Sequence, residues 1–442
     1  MPQDAKRTGS GSPGPGASLD QWLNYLEALH PSEIDLGLDR VLLVLRRLLP
    51  KPPRARIITV AGTNGKGTTV ACIEALLLAA GRRVGAYTSP HLNHYNERIR
   101  IQGQDVEDAA LIAAFQRIDT ARAGISLTYF EFGTLAAFLV MDAAGVEDWV
   151  LEVGLGGRLD AVNVLDPDLA IVTSVDIDHV SWLGADRDSI GFEKAGIFRT
   201  QRPAIYADND PPQSVLQQAQ AQQVRLWRFG EHYSLSRNGR QVDIPELGRS
   251  VPLPLVPLPG TSIAAAVRAG LWLEPALSDR AIQDALARVR VPGRFECVHS
   301  RPDVILDVGH NPHAARWLAG RLVERAGPGA EIHAVYACLS DKDAAGVVKA
   351  MSSVVTHWFL AGLDPVRAPR GLGVDALEEK IKGVLPEVGH QCFHSLATAI
   401  DRALDQARPE DVIIIFGSFF TVTEARSHLE SPGQSGFLND PS

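Results

Sequence analysis

A glycine-rich segment that contains one lysine offers the clearest chemistry in this sequence. It reads Gly62-Thr-Asn-Gly-Lys-Gly-Thr68 and follows a short apolar run that is rich in β-branched residues. Glycines let the backbone bring N–H groups close to a phosphate, while Lys66 and the start of a following helix supply positive charge. Val60 and Gly67 depart from the usual pattern G-x-x-x-x-G-K-S/T. We therefore interpret the segment as a variant phosphate-binding loop; the alternative is an ordinary turn between a strand and a helix.

Polar side chains also follow two further apolar runs, which we predict to be buried parallel strands. Glu152 lies near the end of one run, and His179 follows another, Leu169 to Val175. A carboxylate buried without a partner costs several kcal/mol, so Glu152 should meet a cation or a metal ion. Because parallel strands deliver such residues to the crevice at their carboxyl ends, we predict that Glu152, His179 and Lys66 contribute to a Mg²⁺–nucleotide site. His179 taken alone is more typical of a structural histidine.

Two other residues are open to a chemical and a structural interpretation. Ser89 lies in Thr88-Ser-Pro-His91, a turn that follows a predicted strand. It is placed either to bind a metal or a phosphate or to form a structural turn. Lys194 lies in a predicted helix from Asp188 to Arg199, where the pattern alone indicates a solvent-exposed lysine.

Alternating strands and helices must position these residues. We predict an α/β fold, with a P-loop NTPase-like parallel-sheet ATPase domain and a smaller Rossmann-like α/β domain at the C-terminal end. The segment Val291 to Phe295 has the composition of a linker. We expect a disordered tail over 1–18, the ATP-binding domain over 19–292 and the C-terminal domain, with a parallel sheet, over 293–442.

Composition excludes several classes of protein. A chain of 442 residues exceeds the size at which one hydrophobic core keeps growing, which agrees with two domains. The 43 basic and 52 acidic residues give a formal charge of −9, which argues against a nucleic-acid or anionic-membrane binder. The four cysteines form no C-x-x-C pair, and no apolar run approaches the ~20 residues of a membrane span. We therefore expect a cytoplasmic protein.

Seven short segments stand in order along the chain: Gly62-Thr-Asn-Gly-Lys-Gly-Thr68, Thr88-Ser-Pro-His91, Leu151-Glu-Val-Gly-Leu-Gly-Gly-Arg-Leu-Asp-Ala161, Asp178-His179 with Leu183-Gly184, Glu193-Lys-Ala-Gly-Ile197, Gly293-Arg-Phe-Glu296 and Asp307-Val-Gly-His-Asn-Pro312. Together they resemble the folylpolyglutamate synthase and dihydrofolate synthase family of the Mur ligase superfamily. Ile34-Asp-Leu-Gly-Leu38 and Thr128-Tyr-Phe-Glu-Phe132 look like the bifunctional bacterial branch, which makes dihydrofolate and also lengthens its glutamate tail.

The resemblance implies an ATP-dependent ligase of folate biosynthesis and one-carbon metabolism. ATP would phosphorylate the carboxyl group of the pterin substrate to an acyl phosphate, and the amine of L-glutamate would displace the phosphate. The implied small-molecule substrates are dihydropteroate, reduced folates and L-glutamate, and we expect a monomer that binds neither nucleic acid nor membrane.

By motif position, the resemblance also implies roles for individual residues. Ser89, Glu152 and His179 would hold one Mg²⁺, and carbamylation of Lys194 would provide a carboxylate for a second. The nucleotide would be contacted by Gly62, Thr63, Asn64, Gly65, Lys66, Gly67, Thr68, Arg294 and Asp307. The residues implied in catalysis are Lys66, Glu152, His179, Lys194, Arg294 and His310. Phe130, Asp160 and Ala161 correspond to the dihydropteroate pocket, where an aromatic face and a carboxylate suit a pterin ring.

Two departures from the family pattern leave these groups in place. Val162 stands where a threonine commonly follows Asp-Ala, and Val308-Gly309 replaces the usual Gly-Ala before His310. A monofunctional folylpolyglutamate synthase remains an alternative. A peptidoglycan-precursor Mur ligase is disfavoured by the Leu-Gly-Gly-Arg-Leu-Asp segment and by the expected absence of a separate UDP-binding N-terminal domain. The intact set of Lys66, Glu152, His179 and Lys194 argues against an ATP-binding module without ligase activity.

Overall fold

The computed structural model describes residues 11–431, apart from 15, 33, 367 and 386–389. Much of the predicted tail, residues 1–10 and 15, lies outside the described residues, as do residues 432–442 of the predicted C-terminal domain. The described chain forms two compact units. The first contains the residues up to Val175 with Arg187–Leu253 and Ala264–Leu286; the second contains Asp176–Asp186, Pro254–Ile263 and the residues from Ala287 onward.

Helices and strands alternate through most of the described chain. The helices are α1 Leu19–Leu29, α2 Asp39–Leu48, α3 Lys66–Ala79, α4 Asp108–Arg122, α5 Tyr129–Ala143, α6 Val180–Leu183, α7 Arg187–Ala195, α8 Gln213–Ala221, α9 Gly260–Leu273, α10 Asp279–Ala287, α11 Pro312–Arg325, α12 Ala344–Met351, α13 Val374–Ile381, α14 Leu396–Gln406 and α15 Phe419–Leu429. None of them combines the length and the apolar character that crossing a bilayer requires.

The strands are mostly short and buried. They are β1 Arg56–Ala61, β2 Val84–Tyr87, β3 Ile99–Ile101, β4 Gln104–Asp105, β5 Asp148–Glu152, β6 Leu169–Val172, β7 Pro203–Tyr206, β8 Arg225–Arg228, β9 Ser234–Leu235, β10 Gln241–Ile244, β11 Arg249–Pro252, β12 Glu296–His299, β13 Asp303–Asp307, β14 Ile332–Tyr336, β15 His357–Ala361, β16 His390–Phe393 and β17 Val412–Phe416.

The first unit is built on an eight-stranded sheet of described residues, in the order β4-β3-β2-β5-β1-β6-β7-β8. The strands from β2 to β8 in this order run parallel, and β3 and β4 add an antiparallel edge. Since β1 lies between β5 and β6, the chain segments after these three strands emerge at the same edge of the sheet. Helix α3 packs against β1, β2 and β5 and covers this part of the sheet.

The first unit also contains a small antiparallel sheet, β11-β10-β9, formed by described residues. The first two residues of the proline-rich run Val251 to Pro259 belong to β11. An edge strand accommodates Pro252 because its missing N–H does not interrupt a central ladder.

The described residues of the second unit form a six-stranded sheet, in the order β12-β13-β17-β14-β15-β16. The expected parallel arrangement holds from β13 to β16, but β12 runs antiparallel to β13. Only three residues connect β12 to β13, and a connection this short joins antiparallel strands. Strand β16 was not predicted because His390-Gln-Cys-Phe393 lacks an apolar run.

Candidate active site

The phosphate-binding loop is tied to the residues that follow β6. Thr63 N–H donates to Ser174 O at 2.8 Å, and Asn64 N–H donates to Ser174 Oγ at 3.1 Å. Thr173 Oγ1 donates in turn to Asn64 O at 2.6 Å. We had predicted this strand to continue to Val175, but β6 ends at Val172, and the side chains of Thr173 and Ser174 bond to the loop. The loop conformation is therefore set by hydrogen bonds with a neighbouring segment as well as by its own glycines.

The loop has the features of a phosphate cradle. A Cβ atom on Gly62, whose φ is 149°, would lie 1.8 Å from Thr173 Oγ1, so a side chain cannot fit there. Gly65 precedes α3 with a φ of 85°, and Lys66 Nζ donates to Gly62 O at 3.0 Å. The buried hydroxyl of Thr68 meets no hydrogen-bond partner among the described residues. An unpaired buried hydroxyl at a helix start, beside a lysine, fits an anionic ligand or its metal ion.

We expect Gly62→Ala to weaken nucleotide binding much more than a glycine substitution elsewhere with similar backbone strain. The added Cβ collides with Thr173 and must displace the loop, whereas Gly81→Ala, at a φ of 76°, meets no atom within 4 Å. Gly81→Ala should cost only about 1 kcal/mol of stability. Nucleotide affinity, measured by isothermal titration calorimetry, and thermal unfolding of both variants test this. Equal losses of affinity in the two variants would contradict the cradle.

Glu152 is held close to the start of α3. It ends β5, its side chain is buried, and its Oε2 accepts a hydrogen bond from Ser89 N–H at 3.1 Å. A Cβ on Gly67 would lie 3.5 Å from the same oxygen, so this glycine lets the helix approach the carboxylate. The parallel register pairs Glu152 with Val60, two residues before the loop. The structure therefore brings Ser89, Glu152 and the lysine loop together, and Glu152 is a buried carboxylate of the kind that binds a divalent cation.

Lys194 is buried on α7, with 4% of its surface exposed. The sequence pattern alone indicated a solvent-exposed lysine, and that prediction was wrong. The segment after β5 packs closely on this helix: Arg158 N–H donates to Glu193 O at 2.8 Å, and a Cβ on Gly157 would lie 3.0 Å from Lys194 O. A lysine is rarely buried without a specific role for its amine.

The three residues expected in the pterin pocket lie in the same unit. The ring of Phe130 packs over Gly154, since a Cβ on that glycine would be 2.5 Å from the ring. Asp160 accepts hydrogen bonds from Leu155 N–H at 2.9 Å and Val162 N–H at 3.0 Å, and Ala161 next to it is buried. Burial raises the pKa of the Asp160 carboxyl to about 7, against the lowering effect of these backbone donors. The protonated and the ionised forms of the Asp160 side chain are therefore both populated near neutral pH.

In the second unit, Asp178 is the centre of a polar cluster that sequence reasoning missed. Its carboxylate receives Lys342 Nζ at 2.6 Å, His310 Nε2 at 3.2 Å and Asn311 Nδ2 at 3.3 Å. Burial alone would raise the pKa of Asp178, but His310 and Lys342 hold it far below its ordinary value. His179 follows with a left-handed φ of 52°. Asp178 lies in one of the segments that carry the family resemblance, whereas no motif pointed to Lys342.

Asp307 and Arg294 also belong to the second unit. Asp307 ends β13 and accepts hydrogen bonds from Phe295 N–H at 2.8 Å and Gly309 N–H at 2.6 Å. Burial raises the pKa of Asp307, while Arg294 acts in the opposite direction. The guanidinium of Arg294 lies 5.1 Å from the centre of the Phe419 ring. These contacts place the carboxylate at the carboxyl end of a parallel strand, where ligands bind in α/β folds.

The two units thus divide the predicted site residues. The first holds the lysine loop, Ser89, Phe130, Glu152, Asp160, Ala161 and Lys194, and the second holds His179, Arg294, Asp307 and His310. His179 was expected directly after β6, but that strand ends at Val172 and His179 belongs to the other unit. Thr173 and Ser174 were predicted to belong to a strand, so their hydrogen bonds to the phosphate-binding loop were not predicted.

Comparison with known proteins decides the family. Two family models match, the Mur ligase middle domain over residues 60–246 and the Mur ligase glutamate ligase domain over residues 293–419. The dihydrofolate synthase/folylpolyglutamate synthase of Escherichia coli (strain K12) is 43% identical over 428 residues, which cover 96% of this chain and 99% of the relative. The chain belongs to the dihydrofolate synthase/folylpolyglutamate synthase family. The resemblance inferred from the seven segments is confirmed.

Solved structures of dihydrofolate synthase/folylpolyglutamate synthases share the fold. E. coli FolC in complex with DHPP and ADP is 43% identical with a TM-score of 0.89, covering 95% of this chain and 99% of that one. A bifunctional folylpolyglutamate synthase/dihydrofolate synthase with Mn, AMPPNP and L-glutamate bound is 43% identical with a TM-score of 0.86, covering 95% and 100%. The predicted α/β class, with a largely parallel sheet in the ATPase domain and a separate C-terminal sheet domain, is confirmed.

Proposed function

We propose that this chain is a bifunctional dihydrofolate synthase/folylpolyglutamate synthase. It joins L-glutamate to dihydropteroate and to the glutamate tail of reduced folates, and it converts ATP to ADP and phosphate. The observation that carries the proposal is the lysine loop, which is held by Thr173 and Ser174 beside the buried carboxylate of Glu152. The ligands bound to the two solved relatives, among them ADP, DHPP, AMPPNP, Mn and L-glutamate, support the same substrates and a divalent metal.

The reaction forms one C–N bond in two steps. An oxygen of the substrate carboxylate attacks the γ-phosphorus of ATP, ADP leaves, and an acyl phosphate results. The neutral amine of glutamate then attacks the acyl carbon, phosphate leaves, and the amine loses a proton. A carboxylate is a poor electrophile, so the first step supplies the leaving group that the second step requires.

Phosphoryl transfer depends mainly on position and charge neutralisation. The N–H groups of Gly62 to Thr68 and the start of α3 bind the phosphates, and Lys66 releases its contacts with loop carbonyls to pair with them. The family resemblance assigns Arg294 and Asp307 to the nucleotide and His310 to the reacting groups. Asp178, hydrogen-bonded to His310, fixes the orientation of that imidazole.

The residues present fit a divalent metal. By the family resemblance, Ser89, Glu152 and His179 would hold one Mg²⁺. The buried Glu152 carboxylate, and the Thr68 hydroxyl that has no hydrogen-bond partner among the described residues, are suitable oxygen donors. When bound, the metal neutralises the charge that develops on the phosphates. Carbamylated Lys194 would hold a second Mg²⁺. In the carbamylation, the neutral Nζ would attack CO₂ to form a C–N bond, one C=O π bond would break to give the carbamate oxygen anion, and the nitrogen would lose a proton.

Lys194→Ala is expected to lower turnover by on the order of a hundredfold, and a small carboxylate such as acetate should restore part of it. The exposed lysine Lys349 provides the control, because Lys349→Ala should leave turnover unchanged. Carbamate formation is measured by ¹³C NMR with labelled CO₂, in wild type and in Lys194→Ala. An active enzyme without the carbamate signal would contradict the modification.

Asp160→Ala should reduce dihydropteroate use more than tetrahydrofolate use, because Phe130, Asp160 and Ala161 contact the pterin of dihydropteroate. The Asp160 carboxyl gains charge as the pH rises through about 7, so the KM for dihydropteroate should change over this range in wild type. Asp160→Asn keeps an acceptor for the backbone donors but cannot titrate. The KM of this variant for dihydropteroate should therefore be independent of pH around 7. The ratio of the two kcat/KM values tests the pocket; equal losses for both substrates would reject it.

The decisive assay measures ADP release with L-glutamate and either dihydropteroate or tetrahydrofolate as the acceptor. Release with both acceptors supports the bifunctional enzyme, and release with tetrahydrofolate alone identifies a monofunctional folylpolyglutamate synthase. Release with neither acceptor, but with a peptidoglycan precursor, would indicate a different Mur ligase. ATP binding without ADP release would indicate a module that lacks ligase activity.

We further propose a cytoplasmic monomer with domain boundaries at 18/19 and 292/293. The second boundary adjoins the glutamate ligase family match, which begins at residue 293, and the compact unit that resumes at Ala287. Size-exclusion chromatography with light scattering tests the monomer, and expression of residues 293–442 tests the boundary.

A further inference from the structure

The C-terminal sheet carries a cluster of potential metal ligands far along the chain from the loop. Glu331 immediately precedes β14, and His333 is the second residue of that strand, so the two-residue spacing puts their side chains on the same face of the sheet. His357 begins the neighbouring parallel strand β15 and pairs directly with His333. One ligand atom from each of these three residues lies within 4.8 Å of the other two. We propose that Glu331, His333 and His357 form a binding site for one transition-metal ion such as Zn²⁺.

The environment of His333 supports a ligand there. Its side chain is 1% exposed, yet neither ring nitrogen makes a hydrogen bond to another described residue. Asp411 Oδ2 lies 3.5 Å from Nε2 without hydrogen-bond geometry, in a position to orient the ring. A buried imidazole without a hydrogen bond is costly, and coordination of a metal ion by a ring nitrogen would remove that cost.

The remaining ligands are accessible. The His333 and His357 rings stack with centres 4.8 Å apart, and His357 Nε2 lies 3.0 Å from Glu331 Oε2. The side chains of His357 and Glu331 are 38% and 43% exposed, so both can turn toward an ion that enters from solvent. In the metal-bound form, the hydrogen bond between them is replaced by two metal–ligand bonds.

The donor set selects the class of metal. Two imidazoles and one carboxylate suit Zn²⁺ and similar transition-metal ions, whereas Mg²⁺ prefers oxygen ligands and retains its water. The cluster lies at the amino ends of β14 and β15, while Asp307 lies at the carboxyl end of β13 in the same sheet. Parallel strands place these two ends at opposite edges, so the ion stabilises the unit and takes no part in ligation.

A second cluster in the described residues provides a matched control. Glu378, His390 and Cys392 also offer one ligand atom each within 4.8 Å, but they include a thiol. Cobalt(II) distinguishes the two clusters: nitrogen and oxygen ligands give visible d–d bands alone, whereas a thiolate adds an intense near-ultraviolet charge-transfer band. Cys392→Ser should therefore leave cobalt binding at the proposed site unchanged.

The experiment titrates the full chain with Co²⁺ and Zn²⁺ in excess Mg²⁺, which competes for the proposed Mg²⁺ site that contains Glu152. We expect one equivalent of Co²⁺ to bind with visible d–d bands and without a thiolate charge-transfer band. Zn²⁺ should raise the unfolding temperature of the protein. Glu331→Gln, which conserves shape, and His357→Ala should each weaken binding by at least about tenfold. Unchanged affinity in both variants, no binding by wild type, or a thiolate band lost in Cys392→Ser would each overturn the proposal.

Discussion

Lys66→Ala is expected to lower ligase turnover by on the order of a thousandfold or more while leaving the fold intact. Lys66 Nζ donates to the carbonyl oxygens of Gly62 and Thr63 in the same loop, so we expect its removal to leave the core packing unchanged. The substitution removes the positive charge that we propose faces the transferred phosphoryl group. Because this charge acts mainly in the transition state, kcat should fall more than the affinity for ATP.

Three measurements on Lys66→Ala test this expectation. Circular dichroism and thermal unfolding should match wild type, ATP binding should weaken moderately, and ADP release should be nearly abolished. Lys51→Ala, which removes an exposed lysine from the same unit, should retain full turnover. Wild-type turnover in Lys66→Ala would show that the glycine-rich segment is an ordinary turn.

Glu152→Gln is expected to reduce turnover by at least about a hundredfold and to raise the Mg²⁺ concentration required for half-maximal activity. The substitution conserves shape and removes the negative charge that we propose binds the metal. The carboxylate is 5% exposed, so the neutral amide also avoids the cost of a buried charge. Thermal stability in the absence of metal should therefore be unchanged or slightly higher.

Asp148 at the other end of β5 provides a matched control. Its buried carboxylate pairs with Arg56 at 2.5 Å and Arg82 at 2.8 Å, so Asp148→Asn should destabilise the fold by up to about 3 kcal/mol. The Mg²⁺ dependence of the folded enzyme should remain that of wild type. If Glu152→Gln showed the same pattern as Asp148→Asn, with lower stability and normal metal dependence, Glu152 would be a structural residue.

The family and the general fold could be predicted from sequence because both depend on local patterns. Apolar periodicity and capping residues define helices such as α1, where Ser18 and Gln21 form a capping box. Glycines around Lys66 indicate a loop that binds phosphate. Helix α3 begins at Lys66, inside the glycine-rich segment itself, because left-handed Gly65 allows the turn to close there.

Burial and long-range pairing could not be predicted from the same patterns. The pattern around Lys194 resembles that of an exposed lysine, and only packing of the segment after β5 onto α7 buries it. Likewise, Thr173 and Ser174 have the β-branched or small side chains of a strand end, yet they bond to a loop 110 residues earlier in the chain. Such contacts depend on which strands become neighbours.

The sequence by itself determined the chemistry of this protein: a lysine in a glycine-rich loop, carboxylates after apolar strands, and the family to which these segments belong. The tertiary structure decided how that chemistry is arranged. It set Glu152 against the start of α3, gathered Lys342, His310 and Asn311 around Asp178, and paired His333 with His357 across two strands. The physical reason is that side-chain type is encoded locally, whereas proximity and burial arise from strand order and register.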